Sequence, residues 1–148
     1  MGIQGFWKLI DSTKVSIPLL ELAVEKGFNQ NSANKRAYQL GIDNCSHENA
    51  GLLSMLRTCG HLFAMPIIPV FVFDGDHRPN NKRGQSICKN TTTRGIELQH
   101  LLDAFSFEWR QAPGEAEAEL ASMSKAGIID GVLSEDSDAL IFGAMHVL

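Results

Sequence analysis

Asp43, Asp74, Glu115, Glu117, Asp136 and Asp138 are the residues whose type and spacing point to chemistry. The segments Ala112-Pro-Gly-Glu115-Ala-Glu117-Ala-Glu119 and Ser134-Glu-Asp136-Ser-Asp138 gather carboxylates with almost no basic residues among them. Carboxylates collected without basic partners repel one another, and a cation between them relieves that repulsion. An oxygen-only donor set suits hard ions such as Mg²⁺ or Mn²⁺, whereas zinc prefers His or Cys. Two such ions held together activate a water and stabilise the leaving oxygen of a phosphodiester. Each acid also has a plainer use. Glu115 and Glu117 complement the dipole at a helix start, Asp43 and Asp74 fit turns at strand ends, and Asp136 fits a helix cap. Glu119 and Glu135 are assigned to such uses alone.

The elements that would position these acids alternate short apolar runs with helical windows, the pattern of βαβ units around a mostly parallel sheet. Strands are predicted at Tyr38 to Ile42, Ile67 to Phe73, Phe107 to Arg110 and Gly131 to Leu133. Pro69 cannot donate to a ladder and is expected at a strand start or edge. Helices are predicted over Ile17 to Lys26, capped by Ser16 and stopped by Gly27, and over Glu48 to Ala64, Ile96 to Ala104 and Gly114 to Ala126, with a short one from about Asp136. The first should bury Leu19, Leu20, Ala23 and Val24, and the second Leu52, Leu53, Leu56, Leu62 and Phe63. Asp76 to Thr93 reads as a loop or arch. Asp43, Asp74 and Asp136 then each follow a strand. In open α/β sheets the crevice outside the strands' carboxyl ends is where ligands bind, so these acids should share it.

Composition agrees. The 148 residues, 44% hydrophobic, suffice for one domain with a real core. A net charge of −4 argues against strong non-specific nucleic-acid binding by this chain alone. Cys45, Cys59 and Cys88 form no CxxC pair, so neither a disulfide framework nor a zinc site is indicated. No run reaches membrane-spanning length, so a soluble cytosolic or nuclear protein is expected, and no small-molecule cofactor is expected. His47, His61, His77, His100 and His146 match no metal spacing and are assigned to structure or surface.

Three motifs carry a family resemblance. Met1-Gly-Ile-Gln-Gly-Phe-Trp7, Phe71-Val-Phe-Asp-Gly75 with Arg78-Pro79, and Ala112 to Ala118 with Ser134-Glu-Asp-Ser-Asp-Ala-Leu-Ile-Phe-Gly143 resemble the signatures of the XPG-type, flap-endonuclease-like nucleases. The elements Arg78-Pro79 to Lys82-Arg83-Gly84 and Leu56-Arg57-Thr58 are more similar to the Gen/Yen-type Holliday-junction resolvases than to replicative flap endonucleases. The resemblance implies a PIN-like α/β fold, with residues 1–88 as the N-terminal and 94–148 as the internal region of a single nuclease domain. It implies Mg²⁺-dependent cleavage of branched DNA in repair or recombination, in the nucleus, with a dimer on a junction as one arrangement. All six acids become metal ligands, and all but Asp43 are also counted catalytic. Lys82 meets the scissile phosphate, Arg83 assists, and Gly2 lies against DNA once Met1 is removed.

Two departures accompany it. Asn44 to Asn49 replaces a longer family segment after Asp43, and the sequence reaches Leu148 without the family's last aspartate region or its helix-two-turn-helix module, as a C-terminally truncated member would. A second reading is therefore a non-catalytic remnant that binds DNA or a partner. A third takes Val72-Phe-Asp74-Gly-Asp76 as the nucleophile motif of a haloacid-dehalogenase-like phosphatase, with Leu133-Ser134 as its second motif. Arg78 stands where that family wants Thr or Val, and Glu115 and Glu117 are left unused.

Overall fold

The computed structural model describes residues 5–30, 37–43, 51–77, 81–82, 85–86 and 93–148. Four strands, β1 (Tyr38–Asp43), β2 (Ile67–Phe73), β5 (Glu108–Gln111) and β6 (Gly131–Leu133), form one parallel sheet in the order β5-β2-β1-β6. Between β2 and β5 lies a two-stranded antiparallel hairpin of β3 (Asn81–Lys82) and β4 (Gln85–Ser86) within the expected arch. The helices are α1 (Phe6–Leu9), α2 (Leu19–Val24), α3 (Leu52–Phe63), α4 (Thr93–Ala104), α5 (Ala116–Lys125) and α6 (Asp138–Ile141). None among the described residues is long and apolar enough to cross a membrane.

Strand alternation builds a core on each face, because successive side chains point to opposite sides of a sheet. Tyr38, Leu40 and Ile42 of β1 and Phe71 and Phe73 of β2 join Ala23, Met55, Cys59, Leu62, Leu98 and Leu102 on one face. Val70 and Val72 of β2 and Val132 of β6 join Ala116, Leu120, Ala121 and Ile129 on the other. The predicted architecture, a parallel sheet covered by helices on both faces, is the observed one. Gly41 in β1 leaves room for this packing, since a Cβ there would stand 2.5 Å from Ile129 Cδ1 and 2.6 Å from Leu120 Cδ2 of α5.

Several local expectations are corrected. Pro69 lies inside β2, opposite Leu40, and one residue ahead of the first β2–β5 pair, Val70 with Glu108. Its missing donor falls where the ladder towards β5 has not begun. Pro18, not Ser16, precedes the α2 helix, which runs on past Gly27 as a π-helical turn over Glu25–Asn29. Gly27 is small because β1 begins against it: a Cβ would lie 2.7 Å from the Tyr38 nitrogen. Leu22 packs on the core with Leu19 and Ala23, while Leu20 and Val24 are exposed. In α3 the stripe Met55, Cys59 and Leu62 is buried, and Leu52, Leu53, Leu56 and Phe63 stay exposed. A helix rich in leucine offers two adjacent apolar stripes, and periodicity alone does not say which one meets the sheet.

Candidate active site

All four strands run the same way, so their carboxyl ends form one edge, and acids stand along it. Asp43 is the last residue of β1, paired with Val72, and is buried at 3% exposure. Asp74 follows Phe73 directly at the end of β2, and Asp136 and Asp138 follow β6. The exit from β5 leads through Pro113 and Gly114 to Glu115 and Glu117 at the start of α5. The edge therefore unites segments nearly a hundred positions apart in sequence.

The exits of β2 and β5 are stitched together. Gly75 N–H donates to Gly114 O at 2.7 Å and His77 N–H to Pro113 O at 3.1 Å. Gly75 is required by this approach, because a Cβ would fall 1.8 Å from Ala112 O. Asp74 Oδ1 accepts the Ala116 N–H at 2.8 Å. Ala116 is the first residue of α5, and Glu115, although it holds the N-cap position, makes no side-chain capping bond. Asp74 thus satisfies one of the helix's open N–H groups from a different loop, a capping role carried out across the fold. Glu117, the second residue of the same helix, is buried at 3% exposure, and its Oε2 atom accepts no hydrogen bond among the described residues.

The exits of β1 and β6 are linked in turn by a serine. Ser134 Oγ donates to Asp43 Oδ2 at 3.2 Å and accepts the Asp136 N–H at 3.1 Å. Asp136 Oδ1 accepts the Asp138 N–H at 3.1 Å, which closes a turn into α6. Asp136 is buried while Glu135 beside it is exposed. Burying carboxylates is costly unless hydrogen bonds or cations compensate, and Asp43, Glu117 and Asp136 are all buried along this edge.

The six acids share the edge without forming a finished cage. Among the described residues, no three His, Cys, Asp or Glu side chains come close enough together to hold a metal ion as they stand. Their common edge and all-oxygen chemistry nevertheless fit a hard divalent cation, and the buried Glu117 Oε2 is a carboxylate oxygen suited to such a ligand. Lys82 lies in β3, in the arch beyond Asp74. Gly2 and Arg83 lie outside the described residues, as does the segment from Asn44 to Asn49. His61, His77, His100 and His146 are all exposed. Cys59 is a free, buried cysteine whose thiol burial pushes up. Ser134 was not among the expected site residues. In the sequence it stood only as the first residue of the Ser134 to Gly143 run and as part of the Leu133-Ser134 motif of the phosphatase reading, between the end of β6 and Asp136.

Comparison with known proteins agrees with this geometry. A family profile described as "XPG I-region" matches residues 106–148. The human "Flap endonuclease GEN homolog 1" is 27% identical across 99% of this chain, which corresponds to 18% of the human protein. A crystal structure of the Holliday junction-resolving enzyme GEN1, in complex with product DNA and a Mg²⁺ ion, superposes with a TM-score of 0.77 at 33% identity, over 97% of this chain and 34% of that one. The catalytic core of Rad2 gives a TM-score of 0.79 at 27% identity, over 99% of this chain and 46% of that one. The chain spans less than half the length of each of these relatives.

Proposed function

Since this chain belongs to the XPG/flap-endonuclease-like nucleases and is of their GEN type, we propose that it is the metal-binding part of a structure-specific DNA endonuclease that hydrolyses phosphodiesters at branched DNA. The observation that carries the reading is the arrival of acids from all four strand exits at one edge of the sheet. Asp43, Asp74, Glu115, Glu117, Asp136 and Asp138 would hold two Mg²⁺ ions there, with Mn²⁺ as a substitute. Bound in this way, the ions supply Lewis-acid stabilisation of phosphate oxygens and make a water more acidic.

The protein's own contribution is placement. The strap between Gly75 and Gly114 holds Asp74 against the start of α5, so the acids of β2 and α5 are tied to one another. Ala116 N–H and Ser134 Oγ orient Asp74 and Asp43 by hydrogen bonds. Lys82, carried on the arch beyond Asp74, counters charge on the scissile phosphate, with Arg83 and Gly2 against the DNA. The sites of incision are 5′ flaps and Holliday junctions, the setting is nuclear, and on a four-way junction the protein acts as a dimer.

The test is incision of end-labelled 5′-flap, Holliday-junction and plain duplex DNA in Mg²⁺ or Mn²⁺, beside a chain carrying both Asp136→Ala and Asp138→Ala. Metal-dependent cuts near the branch that disappear in the variant support the proposal. A folded chain that cuts none of the three substrates is instead a binding remnant of the family.

A further inference from the structure

Ser134 is an uncharged side chain that touches two acids of the edge at once. Ile42 of β1 pairs with Leu133 of β6, so Asp43 and Ser134 are the next residues along two adjacent parallel strands. Ser134 itself is 6% exposed, between Asp43 at 3% and Asp136 at 5%. Its hydroxyl has a single proton and two acceptor positions. The Asp136 N–H occupies one acceptor position at 3.1 Å, and the proton goes to Asp43 Oδ2 at 3.2 Å. One buried hydroxyl therefore ties the Asp43 carboxylate to the backbone from which Asp136 projects. Asp136 Oδ1 in turn accepts the N–H of Asp138, the first residue of α6.

We infer that Ser134 is a positioning residue for divalent cations, acting through Asp43 and Asp136 without itself being a ligand. The inference rests on the metal-dependent reading above and deepens it. A group that hydrogen-bonds a metal-ligating carboxylate fixes its orientation in advance, and losing such a partner typically costs about 10–100-fold in metal affinity. An alternative structural role predicts a different signature. A serine that only closes a turn would lower stability when removed and leave metal affinity intact.

Three variants separate these cases. Ser134→Ala removes the hydroxyl, Ser134→Cys puts a slightly larger thiol in its place that is only a weak donor, and Ser134→Thr keeps the hydroxyl. Mn²⁺ binding is read from the electron paramagnetic resonance of the free ion, with circular dichroism and thermal melting to show that each chain is folded. The expected result is a loss of Mn²⁺ affinity of about 10–100-fold in the Ala and Cys chains, with the Thr chain close to the parent. The Cys variant keeps the test decisive if Ser134→Ala does not fold. Parent-like affinity in a folded Ala or Cys chain overturns the inference alone, and so does a Thr chain as weak as the Ala chain. A folded parent that binds no Mn²⁺ overturns the metal-dependent reading itself, and this inference with it.

Discussion

Gly75→Ala should be among the most damaging single substitutions in the chain, and the reason is backbone geometry. The added Cβ would stand 1.8 Å from Ala112 O, 2.7 Å from Pro113 O and 2.8 Å from the Ala112 carbonyl carbon. All three are main-chain atoms, so no side chain can swing aside and the two loops must separate. Overpacking of this kind costs about 1–3 kcal/mol. Separation also stretches the bonds from Gly75 N–H to Gly114 O and from His77 N–H to Pro113 O, at about 1 kcal/mol each. The sum is about 3–5 kcal/mol, which at about 2–4 °C per kcal/mol for a chain of this size lowers the melting temperature by about 6–20 °C. Thermal melting measures the loss. Hydrogen exchange at the Ala116 amide supplies a second readout, because Asp74 Oδ1, its partner at 2.8 Å, leaves with the strap. A melting temperature equal to the parent's, with Ala116 equally protected, would refute the argument that the strap holds Asp74 to α5.

Gly60→Ala is the opposite case. Gly60 is an exposed residue within α3, and an added Cβ there would meet nothing within 4 Å, so chemical denaturation should show a gain of about 0.5–1 kcal/mol from the helix preference of alanine. Tyr38 is the only tyrosine, and burial, with the Asp130 charge nearby, pushes its phenol from 10.0 up to about 12. A raised folded-state value means that the neutral phenol contributes stability in full below the unfolded value of about 10 and loses it as the pH climbs towards the folded value. Ultraviolet titration of the phenolate should therefore find a midpoint near 12 in the native chain and about 10 in urea. A native midpoint equal to the urea one would contradict the burial of Tyr38.

What the sequence made legible was the sheet and the edge. Ile67–Phe73 and Gly131–Leu133 were readable because each is a short apolar run bounded by turn residues, and a strand's end is where an acid directly after it must lie. Which stripe of α3 faces the sheet was not readable, because leucines on both stripes satisfy the same periodicity. The role of Gly27 depends on how closely β1 approaches it, a tertiary fact with no local signature. Asp74 as a cap for α5, and Ser134 as the link between Asp43 and Asp136, are likewise contacts across chain separations of 42 and 91 positions. The acids were identifiable by type and by their positions after strands. The hydrogen bonds that orient them belong to loops whose pairing only the folded sheet decides.

The central claim is that the carboxyl edge of the sheet holds divalent cations, and paramagnetic mapping tests it most directly. Substoichiometric Mn²⁺ added to the ¹⁵N-labelled chain should first broaden the amide signals of Asp74, Ala116 and Asp136, while Tyr38 and Asp130 at the opposite end of the strands stay sharp. The Asp136→Ala, Asp138→Ala chain should lose that pattern. Broadening that begins at the Tyr38 end, or that spreads evenly over a folded chain, would contradict the assignment of the metal site to this edge.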